Sequence, residues 1–107
     1  MSDVLQRIPV VGGLGYLERV RRLPSAFTAT LVTEPENAYF RHAIAVLAGG
    51  EKVGYVAPEV GLRYYEGVKA HPEPVTCPAR RGNPSDHHTS GVELLLDFRG
   101  LAVAAAE

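Results

Sequence analysis

The sequence predicts a single, mostly β domain with two short helices, arranged as a small barrel. Three observations support this fold class. Eight prolines and 11 glycines divide the 107 residues into short segments, which favours short strands over a helical bundle. Several segments are rich in β-branched residues, as strands usually are. A hydrophobic content of 46% with 21% charged residues is typical of a globular domain that can bury one core.

The first part of the chain is predicted to form a strand, a helix and a second strand. Arg7–Val11 is a strand candidate, and Pro9 is expected at an edge or a bulge because proline cannot donate to a strand ladder. Apolar residues at helical spacing over Tyr16–Leu23 predict a short amphipathic helix that Pro24 ends. Ala26–Thr33 alternates between two faces and is the clearest strand of the sequence.

A hairpin and a second helix are predicted for the middle of the chain. The segments Ala43–Leu47 and Lys52–Val56 flank Gly49 and Gly50, and paired glycines supply the positive φ angles of a tight hairpin turn. Pro58–Lys69 is predicted as a helix, because it has a proline in the first turn and a lysine in the last.

Two further strands, Val75–Arg80 and Val92–Phe98, complete the predicted fold, with a mobile loop over Arg81–Gly91 between them. The element order is then strand, helix, strand, strand, strand, helix, strand, strand. In a chain of this size the order suggests a closed or partly open β-barrel, and the OB-like barrel is one member of that class.

We expect residues 7–99 to form the domain, with tails at residues 1–6 and 100–107. The first residues have neither a basic nor an apolar region, so we expect no signal peptide and a cytoplasmic location. No run of about 18 apolar residues is present, so no membrane span is expected. The formal charge of −1 is not that of a protein that binds nucleic acid mainly by counterion release.

Motifs for catalysis or metal binding are weak. Cys77 is the only cysteine, which excludes an internal disulfide framework and a multi-cysteine zinc site. The loop Gly12–Gly15 matches neither a dinucleotide-binding motif nor a P-loop. Glu34 and Glu36 flank a proline on a predicted loop, where carboxylates are more often solvated than paired as a catalytic acid and base. We therefore expect no enzyme, no metal and no cofactor.

The tyrosines are the most informative side chains for function. Tyr16, Tyr39 and Tyr55 lie at or near the ends of predicted elements, and aromatic rings at the rim of a small barrel can stack nucleobases. The same rings can instead fill the barrel mouth and hydrogen-bond to the backbone. Arg19 and Arg22, on the first predicted helix, are candidates for contacts with phosphates.

The segment Leu31–Val46 contains Glu-Pro-Glu-Asn-Ala-Tyr-Phe and is followed by Lys52–Val56, which reads Lys-Val-Gly-Tyr-Val. Together with Val10–Tyr16, which is similar to a first strand and the turn after it, these segments resemble the HIRAN domain family. The resemblance covers about residues 8–98 and is to the small stand-alone members of bacterial type. It implies an OB-like barrel that captures the 3′ end of single-stranded DNA, by stacking the end bases and bonding the terminal hydroxyl.

Residue by residue, the resemblance assigns Asn37 and Tyr39 to the ligand-binding loop of the family. It assigns Tyr16 to the first turn and Tyr55 to a strand position that carries tyrosine or histidine. In this first hypothesis Tyr16 and Tyr39 stack bases, and Asn37 bonds a base or sugar edge. Tyr55 lines the mouth of the site, and the partner is single-stranded DNA.

Other positions depart from the family pattern. Ala38 stands in place of a proline and His42 in place of an asparagine, and Gly15 and Leu14 stand where DNA-capturing members carry an aromatic and a basic residue. Phe40 replaces an aspartate that accepts a hydrogen bond from the terminal hydroxyl, which phenylalanine cannot do. A second function therefore stays open: a protein–protein interaction or self-association module that keeps the fold without DNA binding, with Phe40 as an apolar anchor.

Overall fold

The computed structural model describes residues 7–81 and 94–103, and these contain six strands and three short helical segments. In chain order the elements are β1 (Arg7–Val11), a 3-10 helix (Gly13–Tyr16), α1 (Leu17–Arg21), β2 (Ala26–Glu34), β3 (Ala43–Ala48), β4 (Glu51–Val56), α2 (Pro58–Ala70), β5 (Val75–Arg81) and β6 (Leu94–Asp97). The predicted order of strands and helices is confirmed. Nearly all of the loop predicted between the last two strands lies outside the described residues, as do residues 1–6, 92–93 and 104–107.

The six strands of the described chain close into one antiparallel barrel in the order β1-β4-β3-β2-β5-β6. β6 pairs back with β1, which completes the circle. The chain is thus mostly β with two α-helices, as predicted, and its closed barrel is consistent with a small OB-like barrel. Because the strands form a closed sheet, successive side chains alternate between the barrel interior and its outer face.

The β3–β4 connection is the two-residue hairpin predicted from the paired glycines. Ala48 pairs with Glu51, and the two residues between them have φ angles of +60° at Gly49 and +84° at Gly50. Positive φ at both central positions is the type I′ arrangement, whose twist matches that of the flanking strands. The turn therefore sets the register from which β4 begins.

The core lies inside the barrel and extends under α2. Along β2, Ala29 and Leu31 are buried, whereas Val32 is 42% exposed, which confirms the predicted alternation. From α2, Tyr65 and Val68 pack onto the same core. The largest fully buried side chains are Ile44, Leu94, Leu96, Val20, Val46, Val53 and Val75.

α2 begins at Pro58, as predicted, and ends at Ala70, one residue after the predicted end. α2 has Pro58 in its first turn, followed by Glu59 near the positive end of the helix dipole, and Lys69 in its last turn. The first helix is shorter than the predicted Tyr16–Leu23, because only Leu17–Arg21 is α-helical, and a 3-10 helix over Gly13–Tyr16 precedes it. Among the described residues, no helix is both long enough and apolar enough to span a membrane.

Residues at both ends of the described barrel contact neighbouring elements. Pro9 pairs with β6, while β1 pairs with β4 only from Val10 onward, so the proline lies where β1 has a strand partner on one side. At the other end Leu101 and Val103 pack against the core. These two apolar side chains, in the segment expected to be a tail, thus cover part of the core surface.

The register of β6 is tested by two adjacent leucines. Leu96 is 1% exposed inside the barrel, whereas the side chain of Leu95 is only half-buried on the outer face. Leu96→Ala should lower the free energy of unfolding by about 2–5 kcal/mol, because it leaves a cavity in the core, and Leu95→Ala should cost clearly less. Urea denaturation of both variants measures this. A larger loss for Leu95→Ala than for Leu96→Ala would indicate that β6 pairs one residue out of this register.

Candidate ligand-binding site

An extra residue in β4 places two polar side chains on the same outer face of the barrel. Val46 of β3 pairs with Gly54, but its neighbour Leu47 pairs with Lys52, so the register shifts between them. In a regular strand, residues three positions apart face opposite sides of the sheet. The bulge removes this restriction, and Lys52 Nζ donates to the Tyr55 hydroxyl oxygen at 2.9 Å.

The side chain of Tyr55 lies across β3 and reaches β2. Ala45 pairs with both Tyr55 and Val32, and Val32 faces solvent, so Ala45 is on the outer face as well. Ala45 is nevertheless only 1% exposed. The Tyr55 hydroxyl donates to Glu34 Oε1 on β2 at 2.7 Å, so the ring spans the strand between them. A methyl side chain at position 45 leaves the room that this crossing requires.

Glu34, the last residue of β2, is the acceptor that joins three side chains. Its Oε1 accepts the Tyr55 hydroxyl proton and a hydrogen bond from Asn37 Nδ2 at 3.1 Å. Its Oε2 forms an ion pair with Lys52. We call Glu34, Asn37, Lys52 and Tyr55 the Glu34 cluster. Both carboxylate oxygens are engaged, and the charges of Glu34 and Lys52 neutralise each other locally.

The Glu34 cluster shifts the pKa values of its members in directions that keep the ion pair. Burial acts to raise the pKa of Glu34, but hydrogen bonds from Lys52, Tyr55 and Asn37 outweigh it and hold that pKa below its ordinary value. The hydrogen bond to Glu34 raises the pKa of Lys52. The hydrogen bond from Lys52 acts to lower the pKa of Tyr55, but burial and the Glu34 carboxylate raise it overall. Near pH 7 the cluster is therefore a carboxylate, an ammonium and a neutral phenol.

Asn37 shapes the β2–β3 loop, residues 35–42. Its backbone N–H donates to the Glu34 carbonyl oxygen at 3.1 Å. Its Oδ1 accepts from the backbone N–H groups of Tyr39 at 2.7 Å and Phe40 at 2.9 Å, as in an Asx turn. Since Nδ2 already donates to Glu34, one amide hydrogen is left for the base or sugar contact predicted for Asn37. In the structure, the hydrogen bonds of Asn37 mainly fix the backbone of the loop.

The end of the β2–β3 loop is held by two aromatic contacts and by α2. The Phe40 ring, the apolar anchor of the alternative interaction module, is half-buried and meets Tyr55 edge-on, with centroids 5.9 Å apart. The His42 ring meets Tyr65 edge-on at 5.0 Å. A Cβ at Gly61 would lie 3.2 Å from the His42 carbonyl oxygen, so the glycine permits this close approach of helix and loop.

The β2–β3 loop exposes the side chain of Tyr39 to solvent. It is 88% exposed, although the backbone on both sides of it is hydrogen-bonded or packed. In the described part of the chain, the other exposed large apolar side chains are Val32 and Leu62, and both are more covered than Tyr39. An exposed ring on an ordered loop is a surface on which a second flat ring can stack.

Tyr16 and Arg19 extend the site from the 3-10 helix and α1, which pack against β4. The Arg19 guanidinium carbon lies 5.5 Å from the centroid of the Tyr16 ring, in a cation–π arrangement. Arg19 Nη1 donates to the Lys52 carbonyl oxygen at 2.8 Å, and its Nε lies 3.9 Å from Glu51 Oε1. Arg19 thus makes its contacts within the protein, and the Tyr16 ring beside it is partly buried against the core.

The predicted site residues do not all come together. Tyr16, Arg19, Asn37, Tyr39 and Tyr55 lie on or beside the outer face of β4 and the β2–β3 loop. Arg22, the residue after α1, is exposed, and its Nε donates to the Glu18 carbonyl oxygen at 3.2 Å instead.

Sequence reasoning missed two members of the site, Glu34 as the shared acceptor and Lys52 as its counterion. The one local signal was the glycine in Lys-Val-Gly-Tyr, because an isolated glycine in a strand often marks a bulge. That signal does not reveal which side chains the bulge brings together.

Other features of the described residues carry less chemistry. Within residues 7–81 and 94–103, no three His, Cys, Asp or Glu side chains come together to hold a metal ion. Burial raises the pKa of the Cys77 thiol to about 11, which keeps it protonated and unreactive. A groove of about 280 Å³ on β5 and β6, lined in part by Pro78, Arg80 and Leu95, contains none of the predicted site residues.

The outer face of β2, β3 and β4 with the adjoining loop is therefore the candidate site. Comparison of the chain with protein-family models, with curated proteins and with solved structures finds no match in any of the three. The assignment of the site thus depends on the geometry of the Glu34 cluster and on the exposed ring of Tyr39.

The stabilisation contributed by Glu34 should depend on pH. Its pKa in the folded chain lies below the 4.5 of an unperturbed glutamate, so the contribution is complete above that pH and is lost as the pH falls through the lower folded value. The difference in the free energy of unfolding between wild type and Glu34→Gln, measured by urea denaturation, should therefore shrink in acid.

A double-mutant cycle supplies the control for this pH dependence. In a Lys52→Met background, Glu34→Gln should show a weaker pH dependence, because the hydrogen bond and charge of Lys52 help to lower the Glu34 pKa. The same pH dependence in both backgrounds would contradict the proposed coupling of Glu34 to Lys52.

Proposed function

We propose that this chain is a HIRAN-like domain that binds single-stranded nucleic acid, with the DNA 3′ end as ligand, by stacking bases on Tyr39 and Tyr16 beside Tyr55. One observation carries the proposal: Tyr39 is 88% exposed on a loop whose backbone is held by Asn37. A ring presented on an ordered backbone loses little conformational entropy when a base stacks on it.

The position of the site on the barrel supports this function. OB-like barrels bind oligonucleotides on a strand face and on the loops beside it, because the strands provide a flat surface and the loops provide walls. Here the strand face carries Tyr55, and the loop beside it carries Tyr39. The resemblance to the HIRAN family falls on the same loop and the same strand, which is a second and independent reason for the proposal.

The charges beside the tyrosines favour base stacking over phosphate binding. Lys52 is paired with Glu34, and Arg19 lies within 3.9 Å of a Glu51 oxygen. An ammonium or guanidinium that already has a carboxylate partner releases fewer counterions when a phosphate approaches. Most of the binding free energy should therefore come from the aromatic rings.

The direct test is fluorescence anisotropy of a labelled single-stranded oligonucleotide at low and near-physiological salt. Oligonucleotides with a 3′-hydroxyl and with a 3′-phosphate are compared. Preference for the hydroxyl supports recognition of the chain end, and equal binding supports stacking along the strand without end selectivity. No binding to either at low salt overturns the proposed function and favours the interaction module.

Tyr39→Ala should weaken oligonucleotide binding about tenfold, since one stacked base is worth about 1–3 kcal/mol. Leu62→Ala is the matched control, because it also removes an exposed apolar side chain, 58% exposed on α2, but not at the site. Titration of both variants by anisotropy measures the effect. An equal loss in the two variants would place the binding surface elsewhere.

The salt dependence of binding should be shallow. Because each phosphate neutralised on a single strand contributes about −0.7 to the slope of log K against log salt, we expect a slope of about −1 or shallower. Glu34→Gln frees the charge of Lys52 and should steepen the slope by about −0.7. Titrations over a range of salt concentrations measure both slopes, and a steep slope for wild type would contradict a mainly stacking mode.

A further inference from the structure

We propose that Glu34 is the positioning residue of this site: its carboxylate fixes the loop that presents Tyr39 and the ring of Tyr55 in one arrangement. Its effect on ligand binding rests on the proposed function, but the order of the loop that it sets is measurable without any ligand. Glu34 itself need not touch the ligand for this role.

The first branch of contacts runs from Glu34 to the loop. Asn37 is bonded to Glu34 twice, through its backbone N–H to the carbonyl oxygen and through Nδ2 to Oε1, each at 3.1 Å. Asn37 Oδ1 in turn accepts from the backbone N–H groups of Tyr39 and Phe40. Two successive hydrogen bonds therefore connect the carboxylate to the backbone of the exposed tyrosine.

The second branch runs from the same oxygen to the strand face. Glu34 Oε1 accepts the hydroxyl proton of Tyr55 at 2.7 Å, and the Tyr55 ring then meets Phe40 edge-on. In the described part of the chain, neither the Tyr55 hydroxyl nor the Asn37 amide nitrogen donates to another side chain. Loss of this one oxygen therefore removes a hydrogen bond from both branches at once, while the Lys52–Tyr55 bond and the bond from the Asn37 N–H to the Glu34 carbonyl oxygen remain.

Two substitutions at position 34 separate the effect of side-chain length from the effect of negative charge. Aspartate keeps the negative charge but is one methylene shorter, so it cannot meet Tyr55 and Asn37 in the same arrangement. Glutamine keeps the length and a carbonyl oxygen that accepts from both, but it loses the ion pair with Lys52. If Glu34 acts by position, glutamine preserves the loop and aspartate does not.

The sequence offers a clean reporter for loop order, because it contains no tryptophan. Tyr39→Trp introduces a single fluorophore at the exposed position and keeps an aromatic ring for stacking. Its fluorescence anisotropy and its quenching by acrylamide report how firmly the loop is held. Glu36→Gln is the matched control, because it removes the same charge from an exposed neighbour on the same loop.

In the Tyr39→Trp chain, we expect Glu34→Asp to lower the anisotropy of the reporter and to raise its quenching. Glu34→Gln and Glu36→Gln should leave both close to the parent values. Glu34→Asp should also weaken oligonucleotide binding about fivefold, the change that one lost hydrogen bond of ordinary net strength produces. Far-UV circular dichroism of each variant verifies that the barrel is folded.

Two results would overturn the positioning role. One is a folded Glu34→Asp variant with the reporter anisotropy of the parent, and the other is an equal change in Glu34→Gln and Glu36→Gln, which would indicate a charge effect alone. If Glu34→Asp does not fold, Asn37→Ala tests the same branch, and an unchanged anisotropy there is equally decisive. Absence of oligonucleotide binding in every chain would instead overturn the proposed function, while the reporter still decides the role of Glu34.

Discussion

The bulge in β4 is the constraint on which the whole candidate site depends. Without the extra residue, Lys52 and Tyr55 would face opposite sides of the sheet, and one of them would enter the apolar core. With it, both face outward and meet at the carboxylate of Glu34. The glycine between them, Gly54, has a φ of +154°, a conformation that other residues rarely adopt. A local irregularity of the backbone thus creates a polar cluster on an otherwise regular barrel.

β3, the middle strand of this face, carries small side chains where the Tyr55 ring crosses it. Ala43 and Ala45 of β3 pair with residues of β2 whose side chains are on the outer face, yet both alanines are buried. They are covered because the Tyr55 side chain extends over β3 to Glu34. A larger residue at position 45 would hold the ring away from the sheet and separate the two ends of the cluster. Small side chains are therefore as necessary to the site as the polar ones.

Sequence reasoning succeeded where the signals are local. The Gly49-Gly50 turn, the alternation along Ala26–Thr33 and the proline at the start of α2 each depend on a few adjacent residues, and the structure has all three. The meeting of Glu34 with Tyr55 depends on the pairing of three strands and on a shift of register, neither of which a single sequence encodes at one place. For this reason the tyrosines were identified from the sequence, whereas the groups that hold them were not.

The buried core and the Glu34 cluster lie on opposite faces of the same strands. None of the four side chains of the Glu34 cluster belongs to the buried core, which is formed by residues such as Leu31, Val46 and Val53 on the inward-facing side of the same strands. Substitutions on the outer face therefore change only local contacts and leave the packing of the interior intact. Over evolutionary time the outward positions of such a barrel are therefore free to change their chemistry while the same folded framework is inherited.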